Sequence, residues 1–267
     1  KIEGKTNANA YDEIFGTGNS YESIFELTYG SEESDIKNTD LTYMYGGANK
    51  DKKEITYIYG NENLIPTAIL ATTSYNDQTL FPVSYDYRSQ TALHFNDGTS
   101  PEINKYIMRS SSYIGDIGAT WTPSTSTRSN VAYTSAGINW IIYRLSEVML
   151  MRAEAEINLA GLLSQDVTFT GKTDRVEGAT LSTAEELYQD AFNLIMSVYM
   201  RSNPGAPANR CPDMQNYKTY ESMINLVEME RRREFLFEGK RYYDLVRRSR
   251  REGNTKHFQE ALTAKFG

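Results

Sequence analysis

The chain has 267 residues, 39% of them hydrophobic and 24% charged, and a formal net charge of −7. This length supports a self-sufficient core in one large domain or two small ones, which excludes a small fold that depends on disulfides or a structural metal. The single cysteine, Cys211, has no second thiol with which to form a disulfide or a two-thiol metal or redox motif.

The first region, residues 1–138, is rich in Tyr, Ser, Thr, Asn, Asp and Gly and has little helical periodicity. We therefore predict loops, with one short helix near Thr67–Thr72. Strand formers, separated by glycine-containing turns, predict short strands in three segments: 21–29, 54–59 and 105–108.

The second region, residues 139–267, changes to apolar residues at spacings of three and four with many helix formers, which predicts helices. The predicted helices span 141–160, 182 to beyond 198, 220–237 and 240–250. Ser182/Glu185 and Thr183/Glu186 each fit a capping box at the start of the second helix. On the first helix, one face carries Ile141, Leu145, Val148, Arg152, Ala155 and Leu159, with Met149 and Ala153 alongside. Small residues predict close packing of helix pairs: Ala153, Ala155, Ala160, Ala184 and Ala191.

A basic segment, residues 231–251, contains nine Lys or Arg and three acidic residues. A nucleic-acid surface is one interpretation. We favour a layer of structural ion pairs, because acids lie at helical spacing from the cations and the rest of the chain is acidic. The expected pairs are Glu228 with Arg232, Glu230 with Arg233, Glu238 with Arg241, and Asp244 with Arg248.

The sequence contains no recognisable catalytic or metal-binding motif. His94 and His257 have no metal-ligand neighbours at a suitable spacing, and no phosphate-binding loop, nucleophile elbow or clear calcium loop is present. The sequence therefore offers no motif on which to base a catalytic mechanism or a cofactor site. A glycosidase pair of carboxylates stays open as an alternative, because two such acids can be distant in sequence.

The 20 tyrosines form two groups. Tyr143, Tyr188, Tyr199, Tyr242 and Tyr243 occur in helical patterns and are predicted to pack between helices. Other aromatic residues lie in polar, glycine-rich segments, which is typical of a carbohydrate platform where sugar C–H faces stack on rings and amides bind hydroxyls. The candidate ligand-binding residues are Tyr43, Tyr45, Asn49, Tyr57, Tyr59 and Trp121.

Two long motifs resemble those of the SusD/RagB family of nutrient-binding outer-membrane lipoproteins of Bacteroidetes. Segment 139–155, NWIIYRLSEVMLMRAEA, resembles N-W-x-x-x-R-x-x-E/D-V-x-L-x-x-A-E-A, and segment 230–247, ERRREFLFEGKRYYDLVR, resembles E-R-R-x-E-x-x-F-E-G-x-R-x-x-D-L-x-R. Segment 22–27 is similar to the family pattern E-x-I-F-E-I. Because family members are about twice as long, the resemblance implies that this chain corresponds to their C-terminal portion.

The resemblance implies a mainly α fold, with tetratricopeptide-like helical hairpins in 139–267 and a loop-rich region with short strands in 1–138. It also implies a non-enzymatic protein without a cofactor that captures an oligosaccharide or other nutrient at the extracellular face of the outer membrane, through a lipid anchor absent from this chain. The captured nutrient would be delivered to a SusC-type TonB-dependent transporter. No nucleic-acid partner is expected. A helical scaffold for protein–protein interaction is the main alternative, and a glycoside hydrolase is the second.

Overall fold

The computed structural model describes residues 14–15, 18–29, 36, 38, 80–82, 86–96, 100–103, 105–106, 139–164 and 183–266. The helices are α1 (Tyr87–Ala92), α2 (Leu145–Leu163), α3 (Ala184–Ser202), α4 (Tyr220–Glu234), α5 (Arg241–Glu252) and α6 (Lys256–Phe266). The strands are β1 (Ser23–Leu27), β2 (Leu93–Asn96), β3 (Ser100–Ile103) and β4 (Trp140–Arg144). The predicted mainly α class with short strands is confirmed.

The chain divides into two compact units. The helical unit is Leu145–Glu234, and the mixed unit combines Lys1–Arg144 with Phe235–Gly267. The predicted division into regions 1–138 and 139–267 stays a prediction, because much of the first region lies outside the described residues. The predicted strand at 54–59 and the predicted helix near 67–72 also lie outside them.

The helical unit is built from α2, α3 and α4, which pack against one another. Its core residues recur every three or four positions, as the sequence spacing requires of an internal helix face. Because three of the predicted small residues, Ala153, Ala160 and Ala191, are fully buried, the helix backbones can approach closely here. The larger fully buried apolar side chains include Leu150, Ile157, Ile195, Met223 and Val227.

Helix α2 begins later than predicted, and the apolar face identified from its spacing is the exposed one. Residues 140–144 form β4, which pairs with β1, so the helix begins at Leu145 instead of 141. The face carrying Leu145, Val148 and Leu159 is the solvent side, where these residues are 49%, 42% and 39% exposed. Since α2 carries apolar residues on both sides, spacing alone does not identify its core face.

The start of α3 confirms the predicted capping box of Thr183 and Glu186, whereas Ser182 of the other predicted box lies outside the described residues. The Thr183 hydroxyl accepts a hydrogen bond from the Glu186 backbone N–H at 3.2 Å, and the Glu186 carboxylate accepts one from the Thr183 backbone N–H at 2.8 Å. Two backbone donors that the first helical turn leaves unpaired are thereby satisfied.

Positive φ angles separate the last three helices. Helix α4 ends at Glu234, before the predicted end at Phe237. The turn that follows it has φ angles of 65° at Phe237 and 74° at Gly239. Helix α5 follows close to its predicted span and ends at Gly253, whose φ of 64° suits a residue without a Cβ. Helix α6, which packs against α5, was not among the predicted elements.

The described strands form two antiparallel pairs. Strand β1 pairs with β4, with Phe25 opposite Tyr143, which confirms the strand predicted within 21–29. Strand β2 pairs with β3. Lys105 and Tyr106 lie in a turn after β3, so the prediction of a strand at 105–108 is wrong for these two residues. No helix in the described part of the chain is both long and apolar enough to cross a membrane.

Candidate functional site

The six ligand-binding residues predicted from the sequence lie outside the described residues: Tyr43, Tyr45, Asn49, Tyr57, Tyr59 and Trp121. Their assignment as a site stays a prediction. The structure does define the buried framework of the mixed unit and an exposed aromatic surface on α5.

Glu238 is the centre of a buried charge cluster in the mixed unit. Its carboxylate accepts hydrogen bonds from Lys105 Nζ at 2.6 Å and from Arg144 Nη2 and Nε at 2.8 and 3.0 Å. Arg144 Nη1 also lies 3.1 Å from the carboxylate of Glu22. The four members of the cluster come from distant parts of the sequence. The cluster therefore joins the segment before β1, the turn after β3, strand β4 and the segment before α5.

The electrostatics of Glu238 follow from its two cationic neighbours. Burial alone would raise the pKa of the Glu238 carboxyl, but Arg144 and Lys105 outweigh that effect and hold the pKa below its usual value. The carboxylate is therefore charged at neutral pH and compensates the two cations. Removing one member of such a cluster leaves uncompensated charge in the interior, at a cost of about 3–5 kcal/mol.

Aromatic rings enclose the same cluster. The Arg144 guanidinium lies 4.9 Å from the ring centre of Phe235 and 5.4 Å from that of Phe15, and Lys105 Nζ lies 4.6 Å from the Phe15 ring centre. Tyr106 and Trp140 stack beside it with ring centres 5.7 Å apart. The cations thus gain cation–π contacts in an interior that excludes water, which identifies the cluster as a rigid support.

The basic segment contributes mainly buried or paired charges. In the helical unit Arg201 lies 2.5 Å from Glu234 and Arg233 lies 3.6 Å from Glu230, the second being a predicted pair. In the mixed unit Asp244 pairs with Arg247 at 2.7 Å. Since Arg231 and Arg248 are themselves buried, the segment contributes structural cations, as expected for an ion-pair layer.

The helical tyrosines divide into buried and exposed residues. Tyr188 and Tyr199 are buried, which confirms their predicted packing role. The prediction is wrong for Tyr143, which lies in strand β4 and is 46% exposed. It is also wrong for Tyr242 and Tyr243, which are 60% and 63% exposed at the start of α5. Helical spacing shows that residues share a face but not whether that face is covered, so the sequence pattern missed this surface.

The rings at the start of α5 form a compact group that we call the aromatic corner, made of Tyr242, Tyr243 and Phe258. The ring centres of Tyr242 and Tyr243 are 5.5 Å apart at an interplanar angle of 82°. Phe258, from α6, lies 5.8 Å from Tyr242 at 79°. The rings of Tyr243 and Phe258 therefore both stand nearly perpendicular to the ring of Tyr242.

Among the described residues, no group of three or more His, Cys, Asp or Glu side chains is placed to hold a metal ion. The described surface presents exposed aromatic rings, among them Tyr242 and Tyr243. Such groups support reversible ligand binding by stacking and hydrogen bonding.

Comparison with known proteins gives one family and two solved structures. The sequence profile of the SusD family matches residues 121–266. A SusD superfamily protein of Bacteroides fragilis NCTC 9343 has a similar fold, with a TM-score of 0.51 and 15% identity over 88% of this chain and 42% of that chain. NanU of B. fragilis matches with a TM-score of 0.45 and 18% identity over 88% of this chain and 46% of its own.

No curated protein matches the sequence. The chain spans less than half the length of each of the two solved structures. At this identity the first of these structures supports the fold and nothing beyond it.

Proposed function

Because this chain belongs to the SusD family, we propose that it is part of a non-enzymatic nutrient-binding protein that captures oligosaccharides at the cell surface. The observation that carries the proposal is the family match over residues 121–266, which includes both long motifs, the one around Trp140 and the one around Glu238. Residues of both motifs, such as Arg144 and Glu238, belong to the buried framework, so the main ligand contacts are expected from other segments.

We propose further that the bound oligosaccharide passes to a SusC-type TonB-dependent transporter in the outer membrane. In this proposal the whole protein is held at the extracellular face by a lipid anchor. The support is the family assignment together with the two sequence motifs that resemble the SusD/RagB pattern. The described helices would serve as the scaffold that presents the ligand-binding loops.

The proposed ligand contacts are the loop residues Tyr43, Tyr45, Asn49, Tyr57, Tyr59 and Trp121. Tyrosine and tryptophan rings offer apolar faces to the C–H surface of a pyranose, and the Asn49 amide can both donate to and accept from sugar hydroxyls. Binding on such a hydrated platform is expected to be of modest affinity, because each stacked ring contributes only about 0.5–1.5 kcal/mol.

A binding screen tests the proposal. The chain is titrated with a panel of oligosaccharides, comprising maltohexaose, xylohexaose, mannohexaose and chitohexaose, and the screen is repeated with Tyr43 and Tyr45 both changed to Ala. We expect saturable binding of at least one sugar and a clear loss of affinity in the double variant. Tyr21→Ala is the matched control, since Tyr21 is an exposed tyrosine outside the proposed site.

Each alternative outcome identifies a different function. Unchanged affinity in the Tyr43/Tyr45 double variant would contradict the site assignment. Release of shorter sugars by the chain would indicate a glycoside hydrolase. Failure to bind any sugar would favour a helical scaffold, an alternative supported by the exposed apolar residues Leu145, Val148 and Leu159 along α2.

A further inference from the structure

The start of α5 separates a packing side from an exposed aromatic side. The buried residues of α5 are Asp244, Leu245 and Arg248. Tyr242 and Tyr243 precede them and leave more than half of their surface to solvent. Single exposed aromatic residues are ordinary, whereas a contiguous group of rings at the surface marks a place where a ligand or partner contacts the protein.

We propose that the aromatic corner of Tyr242, Tyr243 and Phe258 is a second contact site for a glycan, binding one pyranose unit by stacking. This inference rests on the proposed function and adds a site on α5 and α6 to the one predicted in the loops. The nearly perpendicular rings let a sugar lay its C–H face on one tyrosine while its edge meets the other.

The size of the corner favours a sugar over a protein partner. A stable protein interface buries about 800 Å² on each side, whereas three partly exposed rings offer far less, an area suited to one or two sugar units. Gln259 follows Phe258 in sequence and is exposed, and its amide can both donate to and accept from sugar hydroxyls. A small apolar surface with a polar neighbour is typical of a saccharide site.

Ring-specific fluorine NMR tests the inference. The chain is labelled with 3-fluorotyrosine, and the signals of Tyr242 and Tyr243 are assigned from the single Phe variants. The probes are maltohexaose, xylohexaose, mannohexaose and chitohexaose. We expect the oligosaccharide that binds the chain to shift both signals, with the Tyr21 signal unmoved as the matched control. Tyr242→Ala and Tyr243→Ala should each weaken binding at this site roughly 2- to 12-fold.

The outcomes separate this inference from the proposed function. A sugar that binds the chain without moving the Tyr242 and Tyr243 signals overturns the aromatic corner as a glycan site and leaves the proposed function intact. Failure of every probe to bind contradicts both. Tyr243→Phe should retain binding because stacking needs the ring, and an unchanged thermal unfolding curve for Tyr243→Ala shows that a loss of affinity is not a loss of fold.

Discussion

Each of the two compact units is stabilised internally by a different kind of contact. In the helical unit, α2, α3 and α4 bury aliphatic side chains that recur every three or four residues within each helix. In the mixed unit, Glu238 joins Lys105 and Arg144, which lie 133 and 94 residues away in sequence. Local periodicity therefore specifies much of the helical unit. The mixed unit depends on ion pairs between residues that are distant in sequence.

The largest expected effect comes from Glu238→Gln. This substitution keeps the side-chain volume but leaves Lys105 and Arg144 buried without their carboxylate, so we expect a loss of about 3–5 kcal/mol in the free energy of unfolding of the mixed unit. Hydrogen exchange measured by mass spectrometry should rise across residues 140–144 while the protection of α3 persists. Glu260→Gln, at an exposed position, is the control and should change stability by less than about 0.5 kcal/mol.

The pH dependence of stability gives a second test of the contribution of Glu238. Because the folded pKa of Glu238 lies below its usual value, its contribution to stability is present above the unfolded pKa and is lost as the pH falls through the folded pKa. Denaturant melts of the wild type and of Glu238→Gln should therefore converge on acidification. If the difference between them instead persists at low pH, the charge of Glu238 is not the source of the stabilisation.

A second variant, Ile157→Ala, probes the helical unit. Ile157 is fully buried on the core face of α2, and its truncation should cost about 2–5 kcal/mol through lost burial and a residual cavity. Exchange should increase in α3 and α4 while residues 140–144 stay protected. Identical exchange patterns for Ile157→Ala and Glu238→Gln would show that the two units unfold together and would contradict the comparison.

The smallest expected effect comes from Thr183→Ala at the start of α3. The change removes the hydroxyl that accepts from the Glu186 N–H, so we expect a loss of about 1 kcal/mol. Urea unfolding followed by circular dichroism measures this loss. Thr183→Ser keeps the hydroxyl and should restore most of the stability, whereas an equal loss in both variants would show that the capping hydrogen bond is not responsible.

Sequence periodicity predicted the helices better than it predicted their environment. The start of α3 follows from the Thr183/Glu186 capping box, and the starts of α4 and α5 lie within one residue of their predicted positions. The turn before α5 follows from Gly239. The buried side of α2 did not follow, because Leu145 and Val148 on one face are as apolar as Leu150 and Ile157 on the other. The strand before α2 was also missed, since Ile141 and Ile142 suit a helix as well as a sheet.

Local sequence patterns are equally limited in predicting the partners of buried charges and the exposure of aromatic side chains. Glu230 and Arg233 are close in sequence and form a predicted pair, but the partners of Glu238 depend on tertiary contacts that no local pattern contains. Tyr242 and Tyr243 were assigned to packing because they lie in a helix, yet their exposure depends on which side of α5 is covered. The loop aromatics from Tyr43 to Trp121 stay a prediction from composition alone.

Calorimetric titration of this chain with the oligosaccharide panel tests the central claim most directly, since it measures binding without assuming a site. The account predicts saturable binding of at least one oligosaccharide, weakened by the Tyr43/Tyr45 double substitution, with the sugar recovered intact afterwards. Absence of binding across the panel, or recovery of shortened sugars, would contradict a non-enzymatic glycan-binding function.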